Sequence, residues 1–399
     1  MNGTQLTIRD RAWAEVDLGA LEHNIERLRR FSGNRALLVL AKANAYGHGA
    51  VEVARTAIGA GAALIGVADV HEGLELRDAG IDAPILILGP SLPEEIPIAV
   101  ENALQISLSP ADMFPSIEDA AKALERKAVI HLMVDTGMSR NGIASQEAIA
   151  AAREASQTEH VETAGLATHF IASEDVNGSL VRKQLDAFRQ TMDALAAEDL
   201  LPPLIHAANS CAVLGHASTH FNLVRPGISV YGMNASDGFE GKVELNPVLS
   251  VRARITMLRE IKAGDTVGYG ATFRARRSST IATVPVGYAD GWPTSLSNKA
   301  EAAVHGQRVP IAGSVSMDCL TLDVTDIPDI RTGDVVTLLG RDGHAEIRAE
   351  ELAGLSDRIP YEVTCGLGRR IRHHYHRAPC APSEKPSRAT SQTFSLVSS

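Results

Sequence analysis

The sequence predicts a (β/α)8 barrel followed by a mostly antiparallel β domain. Three observations carry that prediction. Short apolar runs alternate with longer amphipathic ones through the first part of the chain, as in parallel sheets wrapped by helices. Eight strand-like runs fall within roughly 230 residues, close to the ~250 of such barrels. The texture then changes after Met233 to strand-like runs broken by Gly, Pro and Asp.

The eight runs are Ala36–Ala41, Leu64–Ala68, Ile85–Leu88, Ala103–Leu108, Val129–Val134, Val161–Thr168, Leu204–Ala207 and Leu223–Val224. Helix-like stretches separate most of them, among them Gly49–Ala60, Glu72–Ala79 and Gln146–Ala155; the longest is Ser179–Glu198. A doubly wound sheet is the competing architecture for the same alternation, and periodicity favours the barrel without excluding it. In the second part, Leu249–Leu258, Ser279–Val286, Ala302–Ile311, Cys319–Val324 and Asp334–Leu339 read as strands. The expected organisation is a barrel over residues 1–240, whose extreme N-terminal strand packs with the C-terminal domain. A β domain over 241–378 and a disordered Ser/Pro/Thr-rich tail over 379–399 follow.

Composition narrows the function. With 399 residues, 45% hydrophobic and 22% charged, the chain has the make-up of an ordinary globular protein. Its formal net charge of -10 argues against nonspecific binding to nucleic acid or to an acidic membrane. No apolar run is long enough to span a bilayer, and the charged N-terminus lacks the apolar core of a secretory signal. The four cysteines, Cys211, Cys319, Cys365 and Cys380, are far apart and follow no metal-ligand spacing. A reduced, cytoplasmic chain without a metal site is the expectation.

The run LLVLAKANAYGHGA places Lys42 at the C-terminal end of the first barrel strand, the face where active sites of such barrels sit. Desolvation there lowers a lysine's pKa and frees its amine to attack an aldehyde. The small residues around it would let a flat ligand approach the backbone, and Tyr46 offers a hydroxyl nearby. Taken alone, a lysine at a strand end is more often solvated.

Context reverses that prior. KANAYGHG resembles the pyridoxal-phosphate lysine signature of alanine racemases. The resemblance runs on in order to about Arg377, through AWAEVDLGALEHNI, VDTGMSRNG, THF, HAANS, NLVRPGISVYG, VGYGATF, VPVGYADG, GSVSMD and YEV. It implies racemisation of alanine with pyridoxal 5'-phosphate (PLP) in a homodimer, where the β domain of one subunit closes the barrel site of the other. The substrate would be a small amino acid.

Each segment then has a role implied by the resemblance. Lys42 binds the cofactor aldehyde and serves one face of Cα. Tyr269 serves the opposite face, supported by His169 and, behind it, Arg225. Ser210, the Gly227–Ile228 backbone, Tyr46 and Tyr361 hold the phosphate. Arg225 contacts the pyridine nitrogen and cannot accept a proton, so the ring stays a weak electron sink; His206 bonds Arg225 from behind. Arg140 and the Met317 backbone receive the substrate carboxylate beside Asp318, while Tyr288 and Tyr361 narrow the entrance.

One position departs from the pattern. Many relatives carry a carbamylated lysine that orients the arginine here numbered Arg140, whereas this chain has Met133 at that place. Arg140 is therefore expected to be held by another group, a carboxylate such as Asp135 or an inorganic anion such as chloride. Three other readings share the resemblance: a broader or serine-preferring racemase, a decarboxylase of the same fold type, and a non-catalytic PLP carrier. The decarboxylase would need a Cys-bearing C-terminal motif and an acidic partner for the pyridine nitrogen, and the carrier would lack the β domain.

Overall fold

The computed structural model describes residues 10–234 and 236–377. The tail expected at 379–399 lies outside the described residues. Strand β1 (Ala12–Asp17) comes first, and the chain then closes a parallel barrel. The barrel strands are β2 (Ala36–Leu40), β3 (Leu64–Val67), β4 (Ile85–Ile87), β5 (Gln105–Leu108), β6 (Ala128–Met133), β7 (Val161–Ala167), β8 (Leu204–His206) and β9 (Leu223–Val224). Pairing of β9 with β2, Ala36 opposite Leu223, closes the circle and decides against the doubly wound alternative.

These strands are nearly continuous apolar runs because they are covered on both faces. Helices Leu18–Phe31, Ala50–Gly59, Ser145–Ser156 and Ser179–Ala196 cover the outside, each burying one stripe. Inside, Leu38, Leu64, Leu86 and Leu223 form an apolar cluster of their own between β2, β3, β4 and β9.

β1 leaves the barrel and joins the C-terminal sheet. It pairs antiparallel with Leu249–Arg254 and parallel with Arg372–His376, so both ends of the described chain lie in that sheet. The run Leu249–Leu258 is not one strand. It breaks at Ile255, where Leu249–Arg254 ends in the seven-stranded sheet and Met257–Ile261 starts a separate three-stranded one. The backbone N–H groups of Ile255 and Thr256 donate to Asp334 and Thr283, one in each direction, so the chain switches sheets without losing hydrogen bonds. Likewise Ala302–Ile311 is a hairpin, Glu301–Val304 paired with Gln307–Pro310. Its two turn residues, His305 and Gly306, have φ of 50° and 75°, as a tight two-residue hairpin turn requires.

Candidate active site

Beyond Leu40 the backbone does something the sequence reading does not anticipate. Ala43, Asn44, Ala45 and Tyr46 all have positive φ, from 51° to 54°, and make a short left-handed turn. Such backbone costs about 1–2 kcal/mol per residue, so the surroundings must hold it. Asn44 Oδ1 accepts the N–H of Ala50 at 2.9 Å, and Glu72 Oε1 accepts that of Ala43 at 2.7 Å. The other oxygen of Glu72 accepts the N–H of Ala68, tying the turn to the end of β3. His48, fully buried, places Nδ1 at 3.0 Å from both the Ala45 and Tyr46 carbonyls. The small residues thus serve the turn as well as ligand access. Glu72 carried no signal that would have singled it out; His48 lies inside KANAYGHG, but nothing local marks it as the residue that holds the turn.

This turn delivers Lys42 and Tyr46 to a cavity of about 590 Å³ at the barrel mouth, a volume suited to a cofactor and small substrate. Lys42, Tyr46, Met133, Arg140, His169, Ser210, Arg225, Gly227 and Tyr361 all line it. A second crevice, between the domains beside His48 and Tyr231, has room for about 30 Å³, enough for a water or two.

Electrostatics inside the cavity favour neutral bases. Burial, reinforced by the Arg140 charge, lowers the Lys42 pKa. Burial and then the charges of Arg225, Arg140 and Lys42 pull His169 down to about 3, so its ring is neutral. Burial raises the phenols of Tyr46 and Tyr361, which therefore remain hydroxyl donors, with their rings 5.6 Å apart.

Arg225 is buried but stays a cation, its pKa drawn down by burial to about 10. Its Nη1 donates to His206 Nδ1 at 2.9 Å and to the His206 carbonyl at 2.6 Å. Its Nη2 donates to the Thr168 carbonyl at 2.7 Å and to His169 Nδ1 at 3.2 Å. Among the described residues Nε–H takes no partner, which leaves one donor for a ligand in the cavity that Arg225 lines. Because an arginine can only donate, His169 Nδ1 must be the acceptor, and its proton sits on Nε2.

Opposite, Ser210 Oγ accepts the N–H groups of Gly227 at 2.9 Å and Ser229 at 3.3 Å. A Cβ on Gly227 would lie 2.7 Å from Tyr46 Oη. Glycine is what lets the backbone approach the ligand space here. Ile228 is fully buried behind it.

Arg140 has neither ion pair nor hydrogen bond among the described residues. Asp135 does not hold it: its carboxylate accepts the N–H groups of Gly137, Met138 and Ser139 and caps their loop. Met133 lines the cavity beside Arg140 and offers no charge.

The remaining predicted residues are elsewhere. Tyr269, Tyr288, Met317 and Asp318 do not line the cavity of their own chain; Tyr269 is 77% exposed, Tyr288 46% and Met317 53%. They cluster on the C-terminal domain. Ser314 Oγ donates to the Tyr269 carbonyl at 2.9 Å, Tyr288 N–H to Ser316 and Ala289 N–H to Met317. Arg370 straps the loops together, donating through Nε and Nη2 to Asp290 and through Nη1 to Asp318 at 2.6 Å.

Comparison with known proteins decides the family. Residues 16–235 match the model of the alanine racemase N-terminal domain, and 248–375 that of the C-terminal domain. The chain belongs to the alanine racemase family. It is 41% identical to an alanine racemase of Symbiobacterium thermophilum over 91% of this chain and 96% of that protein. It is 39% identical to one from Geobacter sulfurreducens over 91% and 96%. Among solved structures it resembles the alanine racemase of the D-cycloserine producer Streptomyces lavendulae, at 34% identity and a TM-score of 0.87 over 94% of this chain and 99% of that one. It also resembles the Bartonella henselae alanine racemase with covalently bound pyridoxal phosphate, at 30% identity and a TM-score of 0.81 over 92% and 100%. Racemisation of alanine is the activity these matches support, in a family that depends on PLP. No described helix is long and apolar enough to cross a membrane.

Proposed function

We propose that the chain interconverts L- and D-alanine with PLP, at sites shared between two copies of itself. What supports the reading is the way the predicted residues divide. One group, with Lys42, Arg225 and Ser210, converges on the cavity at the barrel mouth, and the other, with Tyr269, Tyr288 and Met317, clusters exposed on the C-terminal domain. The domain limits proposed are a barrel to about residue 240 and a β domain beyond it.

The residues fit PLP. Tyr46, Tyr361 and Ser210 hydroxyls and the Gly227–Ile228 backbone would hold its phosphate, and Arg225 would turn its unpartnered Nε–H to the ring nitrogen. Bound there, PLP would supply the electron sink that makes a proton on the amino acid's Cα removable. Lys42, its pKa lowered by burial, would hold the cofactor and exchange that proton on one face. Tyr269 from a second copy would serve the other face. His169 is suited to support it, because Arg225 fixes its Nε2–H as a donor that stabilises a phenolate. Arg140, which has no ion pair among the described residues, would take the substrate carboxylate with an anion beside Met133 as counter-charge. Met317 and Asp318 would flank it from the other copy. Tyr288 and Tyr361 would crowd side chains larger than methyl, a modest discrimination of about 1–3 kcal/mol per methylene.

Incubation of the protein and PLP with L-alanine, followed by chiral chromatography, is expected to end in racemic alanine, with slower conversion of L-serine. Amine or carbon dioxide release without D-alanine would instead indicate a decarboxylase.

A further inference from the structure

Behind Arg225 the barrel interior is not apolar throughout. The leucine cluster fills the side lined by β2, β3, β4 and β9, but β5, β6 and β8 point polar groups inward. His206 Nε2 lies 2.8 Å from His131 Nδ1, and His131 Nε2 lies 2.9 Å from Gln105 Oε1. Both imidazoles are buried, edge to face, with centroids 5.0 Å apart. The intervening strand makes room: a Cβ on Gly165 would sit 2.1 Å from His131 Nδ1, and the β6–β7 register shifts at His131. A four-membered chain, Arg225–His206–His131–Gln105, thus runs from the cavity wall to the half-buried start of β5.

The direction of this chain is fixed by its first member. Arg225 can only donate, so His206 Nδ1 accepts and its proton is on Nε2. His131 Nδ1 must then accept, which puts its proton on Nε2, facing the Gln105 carbonyl. Burial and the Arg225 charge hold His131 down at about 3 and His206 well below its ordinary value, so each ring carries one N–H. The chain is unsuited to moving protons: a relay would need Arg225 to give one up and a neutral amide to pass one on. It is suited to holding geometry, since every link has one satisfied orientation.

We propose that His131 and Gln105 are positioning residues for Arg225, locking His206 in the tautomer that accepts from the guanidinium and so aiming Nε–H into the cavity. The proposal rests on the reading that Arg225 faces the cofactor ring. Reversing the far end tests it. A lysine at position 105 donates where glutamine accepts, so Gln105→Lys forces His131 and His206 to present N–H groups against Arg225. Gln105→Glu preserves the acceptor.

Histidine nitrogen NMR of the labelled protein, with and without added PLP, is expected to show Nε2-protonated neutral rings for His131 and His206 near neutral pH. Either ring protonated on Nδ1 overturns the proposal whatever the activity. Gln105→Lys is expected to lower kcat about tenfold, the equivalent of one net hydrogen bond to a charged group, with little change in KM for alanine. Gln105→Glu should recover most of it. Gln105→Leu, which removes the acceptor without reversing it, should fall between them if the lysine variant folds poorly. In an Arg225→Lys background the Gln105→Lys loss should vanish; an equal loss in both backgrounds overturns the proposal as a general packing effect. If Arg225→Lys alone leaves kcat unchanged, the underlying reading of Arg225 fails, and that result is separate from the tautomer measurement.

Discussion

The barrel mouth and the exposed patch of the C-terminal domain are assigned to one chemistry, yet they are built in opposite ways. At the mouth the groups are held in place: buried Arg225 by carbonyls and imidazoles, buried Ser210 by two backbone amides, and half-buried Lys42 next to a strained turn. On the patch, the hydrogen bonds hold the loops, and among the described residues the Tyr269 and Tyr288 hydroxyls take no partner. Ser314 grips the Tyr269 main chain while the ring stands in solvent. Under the proposed function the mouth would bind and tune the cofactor, whereas the patch would be covered by a second copy. Large exposed aromatics on an otherwise well-packed domain mark an interaction surface.

The largest effect is expected at Lys42. Lys42→Ala should reduce racemisation at least a thousandfold, the scale of losing both an attachment point and a base. Borohydride reduction of the wild type with PLP should attach the cofactor to the peptide containing Lys42. Label on another lysine would remove the mouth from the mechanism.

A smaller effect sharpens the account of the cradle. Gly227→Ala places a methyl 2.7 Å from Tyr46 Oη. The contact falls on the far end of the Tyr46 side chain, so the clash is with the ring that faces the cofactor space. Weaker cofactor binding by about tenfold, with the fold intact, is the expected outcome in a PLP titration. An unchanged affinity would mean that the phosphate sits elsewhere.

The mouth should also be the acid-sensitive region. His48 is drawn down to about 4 and His131 and His169 to about 3, chiefly by burial. The unfolded chain therefore binds more protons than the folded one between the ordinary histidine range and those values, and stability falls as pH drops through that window. For His48 alone the loss by pH 4 is about 3 kcal/mol. Urea midpoints measured from near neutral pH downward should show the fall, and His48→Asn should lessen its slope. An unaltered slope would place the acid-sensitive groups elsewhere.

Much of this was legible in the sequence, for physical reasons. Buried parallel strands must be apolar runs, so β2 to β9 showed themselves, and the ordered motifs from KANAYGHG to YEV named the residues. What stayed hidden depends on long-range placement. Leu249–Leu258 reads as one strand because nothing local reveals that Ile255 and Thr256 bond to different sheets. The left-handed turn at Ala43–Tyr46 opposes the intrinsic preference of alanine and exists because Asn44, His48 and Glu72 hold it. Asp135 looked like a partner for Arg140 by proximity in sequence, but its carboxylate caps its own loop. His131 gave no sign of meeting His206, 75 residues away.

The division of the site between two copies is the central claim, and complementation tests it most directly. Lys42→Ala and Tyr269→Ala proteins, each inactive as prepared, would be mixed under conditions that exchange subunits, with mixed dimers verified by differential tags. A mixed dimer collects both wild-type groups at one of its two sites, so activity should return to as much as half that of the wild type per dimer. Mixed dimers that form and stay inactive would place Lys42 and Tyr269 in the same subunit's site and contradict the account.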